Sequence, residues 1–292
     1  MKKRIRFASH DYLYSSLPTT RKDAFKDVYK HNFSTILKSG LTLLISCIPL
    51  FVFLLVMDVG KMGMTLDFYS EEDLEGVLLL WDIILNIGFI FLFYIVIICL
   101  CGVLKILKLL VFQEGISFFY DFKSGIKENV KDCSLIYIIY SLIYLATYFI
   151  QLYFLPATLA IVLLVIFYLL FTPLMIWIIL SINVYKTKLW DYIKNGAFFF
   201  FKTALWSILF LLLVIWPVVV SFLFNQNFIP VGVNTLYIAI KYAVLIITAI
   251  FYYPCLIIVS LLFSLSKFDL YINQNNYPEL YRKGLYNPTK ND

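Results

Sequence analysis

Among the residues that could do chemistry, Asp82 stands out because it interrupts an apolar run and is followed one helical turn later by Asn86. It lies about one and a half turns inside the outer end of an apolar helix, where charge is costly and needs a partner. Lys241 sits at a similar depth in the last apolar run and is the expected partner. Asp82, Asn86 and Lys241 therefore make either an interhelical clamp or a polar site for a solute or cation near the outer leaflet, and the clamp is the simpler reading.

Catalysis has little else to draw on. The two histidines, His10 and His31, both precede the first apolar run and have no metal-ligand partner at useful spacing. Phosphate-cradling glycine loops, a nucleophile elbow and paired catalytic carboxylates are absent, so no enzyme, cofactor or metal is expected. Tyr137, Tyr140, Tyr144 and Tyr148 recur at spacings of three and four, which lines one helical face with rings and hydroxyls. That face suits an aromatic packing seam, the commoner use, or a sugar-stacking surface.

The elements that must position these residues follow from composition. Of 292 residues, 62% are hydrophobic and 14% charged, with a mean hydropathy of +0.88, more apolar surface than a water-soluble fold can cover. Six runs reach the roughly 20 residues a helix needs to cross hydrocarbon: Ser39–Met57, Val77–Val103, Ser134–Leu155, Ala157–Ile182, Thr203–Phe224 and Leu236–Ser266. Basic residues are retained in the cytoplasm, and with both ends inside, 22 of 24 Lys and Arg fall on that side, leaving Lys61 and Lys241 outside. The expectation is a multi-pass plasma-membrane protein with cytoplasmic termini.

The connections are simple. Asp58–Gly76 carries six carboxylates against Lys61, a net −5, and reads as a solvated loop or as a vestibule that attracts cations. Met1–Arg6 is basic, but Phe7–Lys38 is too polar for a signal core, so the first run serves as its own insertion signal. Cys47, Cys99, Cys101, Cys133 and Cys255 lie within runs or at their inner ends and read as small apolar residues rather than disulfides. Pro49, Pro173, Pro217 and Pro254 interrupt four runs, where they shape packing or mark a transport path. The domains are a cytoplasmic arm, 1–38, a six-span domain, 39–266, and a cytoplasmic tail, 267–292, expected to be disordered or to lie on the surface.

Three inner segments share a pattern. Phe25-Lys26, Lys30 and Asn32 match Phe122-Lys123, Lys127 and Asn129 in spacing, and both stretches carry apolar residues every fourth position: Phe25, Tyr29, Phe33 and Leu37, then Phe118, Phe122, Ile126 and Val130. Leu189, Ile193, Ala197 and Phe201 form a third line, although Lys194-Asn195 does not keep the first two in register. Such segments suit the headgroup interface, with Lys26, Lys30, Lys123, Lys127 and Lys194 as candidate contacts for lipid or a partner. The expected fold is all-α: a polytopic bundle of six transmembrane helices as three hairpins, each preceded by a cytoplasmic amphipathic interfacial helix.

Phe122-Lys123 through Asn129-Val130-Lys131, and Lys194-Asn195-Gly196-Ala197 with Lys202, resemble the YesL-like family of bacterial membrane proteins. The resemblance implies an accessory role near carbohydrate uptake and carries no catalytic residues. The chain departs from that pattern in its acidic first loop and N-terminal arm. The leading functional expectation is a non-enzymatic accessory or component of a solute uptake system, with the bilayer and a transporter subunit or other membrane protein as partners and no nucleic acid. A stand-alone transporter using Asp82, Asn86 and Lys241 is the alternative, and a lipid-modifying membrane enzyme, needing His31 or gathered acids at the inner face, is third.

Overall fold

A computed structural model describes residues 17–64, 71–223 and 234–286. Among the described residues the secondary structure is helical, without strands. Helix α1 spans Arg21–His31, α2 Phe33–Met64, α3 Glu71–Val111, α4 Phe118–Phe154, α5 Ala157–Val184, α6 Leu189–Lys202, α7 Ala204–Leu223 and α8 Asn234–Ile247. A π-helical turn, Thr248–Tyr252, joins α8 to α9, Tyr253–Phe268, and a second, Asp269–Asn273, leads to a last helical turn, α10, Gln274–Asn276.

Five of these stretches are long and apolar enough to cross a membrane: Phe33–Gly60, Gly76–Val111, Phe118–Phe154, Thr158–Val184 and Ala239–Asn276. The bent pair Leu189–Lys202 and Ala204–Pro217, which turns by 99° at Thr203, makes a sixth if counted as one span. The fold is thus an apolar helical bundle that suggests a multi-pass membrane protein. With 41 residues, α3 is about 60 Å long, roughly twice the hydrocarbon thickness of a bilayer.

The surplus length is packed at one end of the bundle. There the second half of α3, with Val103, Leu104, Leu107 and Val111, meets Trp177 of α5, Phe199 of α6 and Leu261, Leu265 and Phe268 of α9 in a closed core. Toward the other end α2, α3, α4 and α5 expose Ile45, Val52, Leu80, Ile84, Leu142 and Ile161. Large apolar side chains in that number on the outside are what a lipid environment tolerates and water does not.

Three sequence expectations change. Phe118–Val130 is not a separate helix, because α4 runs unbroken from Phe118 through the apolar run to Phe154. The tail is not loose within the described residues: Phe268 and Asn273 are wholly buried and Leu285 nearly so. The buried stripes are also displaced by one position. Ala24 and Val28 turn inward on α1, Asp121, Gly125, Asn129 and Cys133 on α4, and Tyr192 and Gly196 on α6, each preceding the expected apolar line by one residue.

Because the displacement is the same in all three, Ile193-Lys194 stands where Phe25-Lys26 and Phe122-Lys123 do, counted from either line, and the segments part only at the later positions. In that third segment Phe198 stands where the second lysine would be and Phe200 where the asparagine would be.

Small residues set how closely the helices approach. A Cβ on Gly125 would lie 2.7 Å from the Lys105 Cβ and 2.9 Å from the Cys101 carbonyl oxygen, so α3 and α4 touch backbone to backbone. Pro217 and Pro254 leave carbonyls without their usual donors, and a neighbouring helix lies against each. Pro217 has no N–H for the Leu213 carbonyl four residues earlier, and the Tyr252 hydroxyl donates to that carbonyl at 2.7 Å. Pro254 has none for Ile250, whose carbonyl oxygen faces Gly40 so closely that a Cβ there would fall 1.9 Å away. Gly40→Ala should therefore lower the thermal midpoint of the detergent-solubilised protein, at a cost of about 1–3 kcal/mol. The control Gly76→Ala, with open space around it, should leave the midpoint unchanged or raise it.

Candidate functional site

Lys241 and Asn86, expected to act together with Asp82, find their partners on different helices. Lys241 on α8 pairs with Asp58 near the end of α2 at 2.6 Å, and Tyr242 donates its hydroxyl to the same carboxylate oxygen at 3.1 Å. The partner of Lys241 is thus Asp58, the first residue of the acidic stretch, where the sequence pointed to Asp82. Of that loop, residues 65–70 and the side chains of Lys61, Glu71, Glu72, Asp73 and Glu75 lie outside the described residues, as does His10. Asn86 donates to the backbone carbonyl of Asp82 at 2.8 Å and accepts from Tyr144 of α4. Tyr148 lies within electrostatic reach of Asp82. Asp82 and Asn86 thus belong to the α3–α4 contact and Lys241 to α2–α8.

The tyrosine face of α4 is a packing seam. Tyr137 donates to the Ile90 carbonyl at 2.8 Å and stacks on Tyr94, Tyr140 bonds the Thr172 hydroxyl at 3.0 Å, and Tyr140 and Tyr144 lie against Phe167. Each hydroxyl so placed meets a partner on a neighbouring helix, as a phenol in an apolar layer must.

A denser polar network, missed in the sequence, lies at the packed end around Asp269. Arg21 of α1 reaches its carboxylate at 2.7 Å and donates to the Lys283 carbonyl at 2.8 Å. The other carboxylate oxygen accepts from the Asn273 amide at 2.8 Å and from the Arg282 backbone N–H at 3.1 Å. Asn273 in turn accepts from Tyr185, just past α5, at 2.6 Å. Burial, with the Asp269 carboxylate and Tyr277 close by, pushes the Tyr185 phenol far up, so it holds its proton as a donor. The ends of the described chain touch where the Tyr286 N–H donates to the Pro18 carbonyl at 3.0 Å. The α3–α4 turn joins through Gln113 to Asp27, 3.0 Å, and Glu114 to Lys283, 2.6 Å.

The predicted contact lysines, Lys26, Lys30, Lys123, Lys127 and Lys194, are all exposed. They are interleaved with exposed rings: Tyr29, Phe33, Phe119, Tyr120, Trp190 and Phe201. Lys105 is different, because it is turned inward to Glu128 and Ser124 of α4 and so ties α3 to α4.

On the flank, α1 and α2, α7 and the first π-helical turn enclose a groove of about 430 Å³, walled by Tyr29, Phe33, Trp216, Phe251 and Tyr252. Among the described residues no cluster of three or more His, Cys, Asp or Glu could hold a metal ion. His31 pairs with Asp27 on its own helix at 3.6 Å. No family model matches the chain, and neither does any curated protein or solved structure.

Two measurements check these assignments. Asp58→Asn or Lys241→Met alone should cost about 3 kcal/mol, read as a lower thermal midpoint, because each strands the other charge in an apolar layer; the double variant should recover most of the loss. Asp269→Ala should loosen both ends at once, seen as faster tryptic cleavage after Arg282 and Lys283 together with cleavage at Arg21 and Lys22.

Proposed function

We propose that the chain is a six-span, non-enzymatic membrane protein with both termini in the cytoplasm, acting as an accessory or component of a solute uptake system. The observation that carries this reading is the convergence of both ends of the described chain and the two described inner turns on the Asp269 network, at the end where the basic residues gather. Ends that meet require an even number of crossings between them, which favours counting the bent α6–α7 pair as the sixth span. Three hairpins follow: α2 with α3, α4 with α5, and α7 with α8–α9.

Lysines interleaved with aromatic rings suit the cytoplasmic headgroup layer, where positive charge is retained and amphipathic rings settle. In this reading α6, turned by 99° from α7, lies along the interface, while α1 lies along α9 and α4 enters the membrane directly. The packed end then forms a rigid cytoplasmic platform against which a transporter subunit can dock.

The polar residues of the apolar layer support an accessory better than a stand-alone carrier. Asp58 is held by Lys241 and Tyr242, and Asn86 by Tyr144, which leaves these groups engaged with the protein itself. The likeness to the YesL-like family supplies the uptake context. Isolation in mild detergent from the native host should bring down a solute transporter subunit in constant proportion. Repeated recovery of this chain alone would overturn the accessory role, and reaction of the Thr19→Cys variant with an impermeant thiol reagent added outside intact cells would overturn the topology.

A further inference from the structure

We propose that the groove between α1–α2, α7 and the π-helical turn at Thr248–Tyr252 binds one anionic phospholipid, with an acyl chain in the groove and the headgroup phosphate on Lys26 and Lys30. The cavity, about 430 Å³, has the size of pockets that bury small ligands, and its walls are mostly apolar and aromatic. It opens sideways. Tyr29 is 45% exposed and Phe33 43%, and they join a flank formed by Leu209, Leu212, Ile247 and Phe251, so the mouth faces the same surroundings as the apolar helices.

The cationic rim comes from α1. Tyr29 stacks on Phe25 of the same helix and meets Phe33, at the start of α2, edge-on. Lys26 lies three residues before Tyr29, hence on the same face, and Lys30 directly follows it; both are exposed. The carboxylates of α1 have partners of their own: Asp23 takes the Thr20 hydroxyl, and Asp27 takes Gln113 and His31. Apolar walls below two lysines complement an amphiphile with a hydrocarbon chain and a negative head.

The groove is held open by the chain's own irregularities. Pro217 sits in one wall, and the Tyr252 hydroxyl bridges to the Leu213 carbonyl on the same helix, α7. The π-helical turn widens the opposite wall, and Gly40 fixes its distance from α2 at Ile250.

Native mass spectrometry of the detergent-purified protein, exposed to equal amounts of palmitoyl-oleoyl phosphatidylglycerol and phosphatidylcholine, tests the site. The wild type should retain one phosphatidylglycerol in preference to phosphatidylcholine by roughly tenfold. Lys26→Gln with Lys30→Gln should bring the two lipids to near parity, and Ile247→Trp, which fills the groove from its exposed rim, should lose both at unchanged thermal midpoint. Equal retention of the two lipids by the wild type, or retention indifferent to both variants, would overturn the proposal. It rests on the membrane reading but not on the uptake role. Protein that stays in carbonate-washed membranes yet shows no lipid preference sinks the lipid site alone, whereas release by carbonate sinks both.

Discussion

One carboxylate, that of Asp269, holds the packed end together. It is nearly buried, and each of its oxygens is occupied: Arg21 on one, Asn273 and the Arg282 backbone on the other. A buried charge is tolerated only when its partners are in place, so the network demands that the first helix, the α5–α6 connection and the chain's last described stretch arrive at one point. The remaining arrangement follows from that demand. With α1 tied at Arg21 and α2 pressed on Ile250 at Gly40, equal intervals separate the two contacts along each segment, and the N-terminal helices run antiparallel to α9.

Much of the fold was legible because hydrophobic length is a strong signal. The apolar runs beginning at Ser39, Val77 and Ala157 sit inside helices that extend a few residues beyond them, and of the four-residue lines Leu189–Phe201 falls within one helix, whereas Phe25–Leu37 is broken at Asn32 between α1 and α2. What the pattern could not give was the side that turns inward. In water the apolar face is buried, but in lipid both faces are apolar, and the contact goes to residues that allow close approach. On α4 that is Gly125, Asn129 and Cys133, while Phe119 and Leu135 look outward.

The candidate site was less legible, again for physical reasons. Depth along a helix located Lys241 and Asp82, but depth does not say which helices are neighbours. Asp58 escaped notice because it stood first in an acidic stretch whose other members have the composition of a solvated loop. The tail was misjudged on similar grounds. Asn, Tyr and Asp look like surface residues by type, yet Asn273 is buried because Tyr185 and Asp269 satisfy its amide. Composition counts polar groups, whereas burial depends on whether they find each other.

The span between Arg21 and Asp269, 248 residues along the chain, has a consequence for biogenesis. At ribosomal speeds the first helix emerges roughly 10 to 50 seconds before its counterpart exists. During that interval its guanidinium and its row of rings have only the membrane surface and cellular chaperones to consort with. Closure of the molecule is therefore a late act of its synthesis, and a truncated product, lacking everything from Asp269 onward, would be born with an unlatched beginning that quality-control proteases can grip.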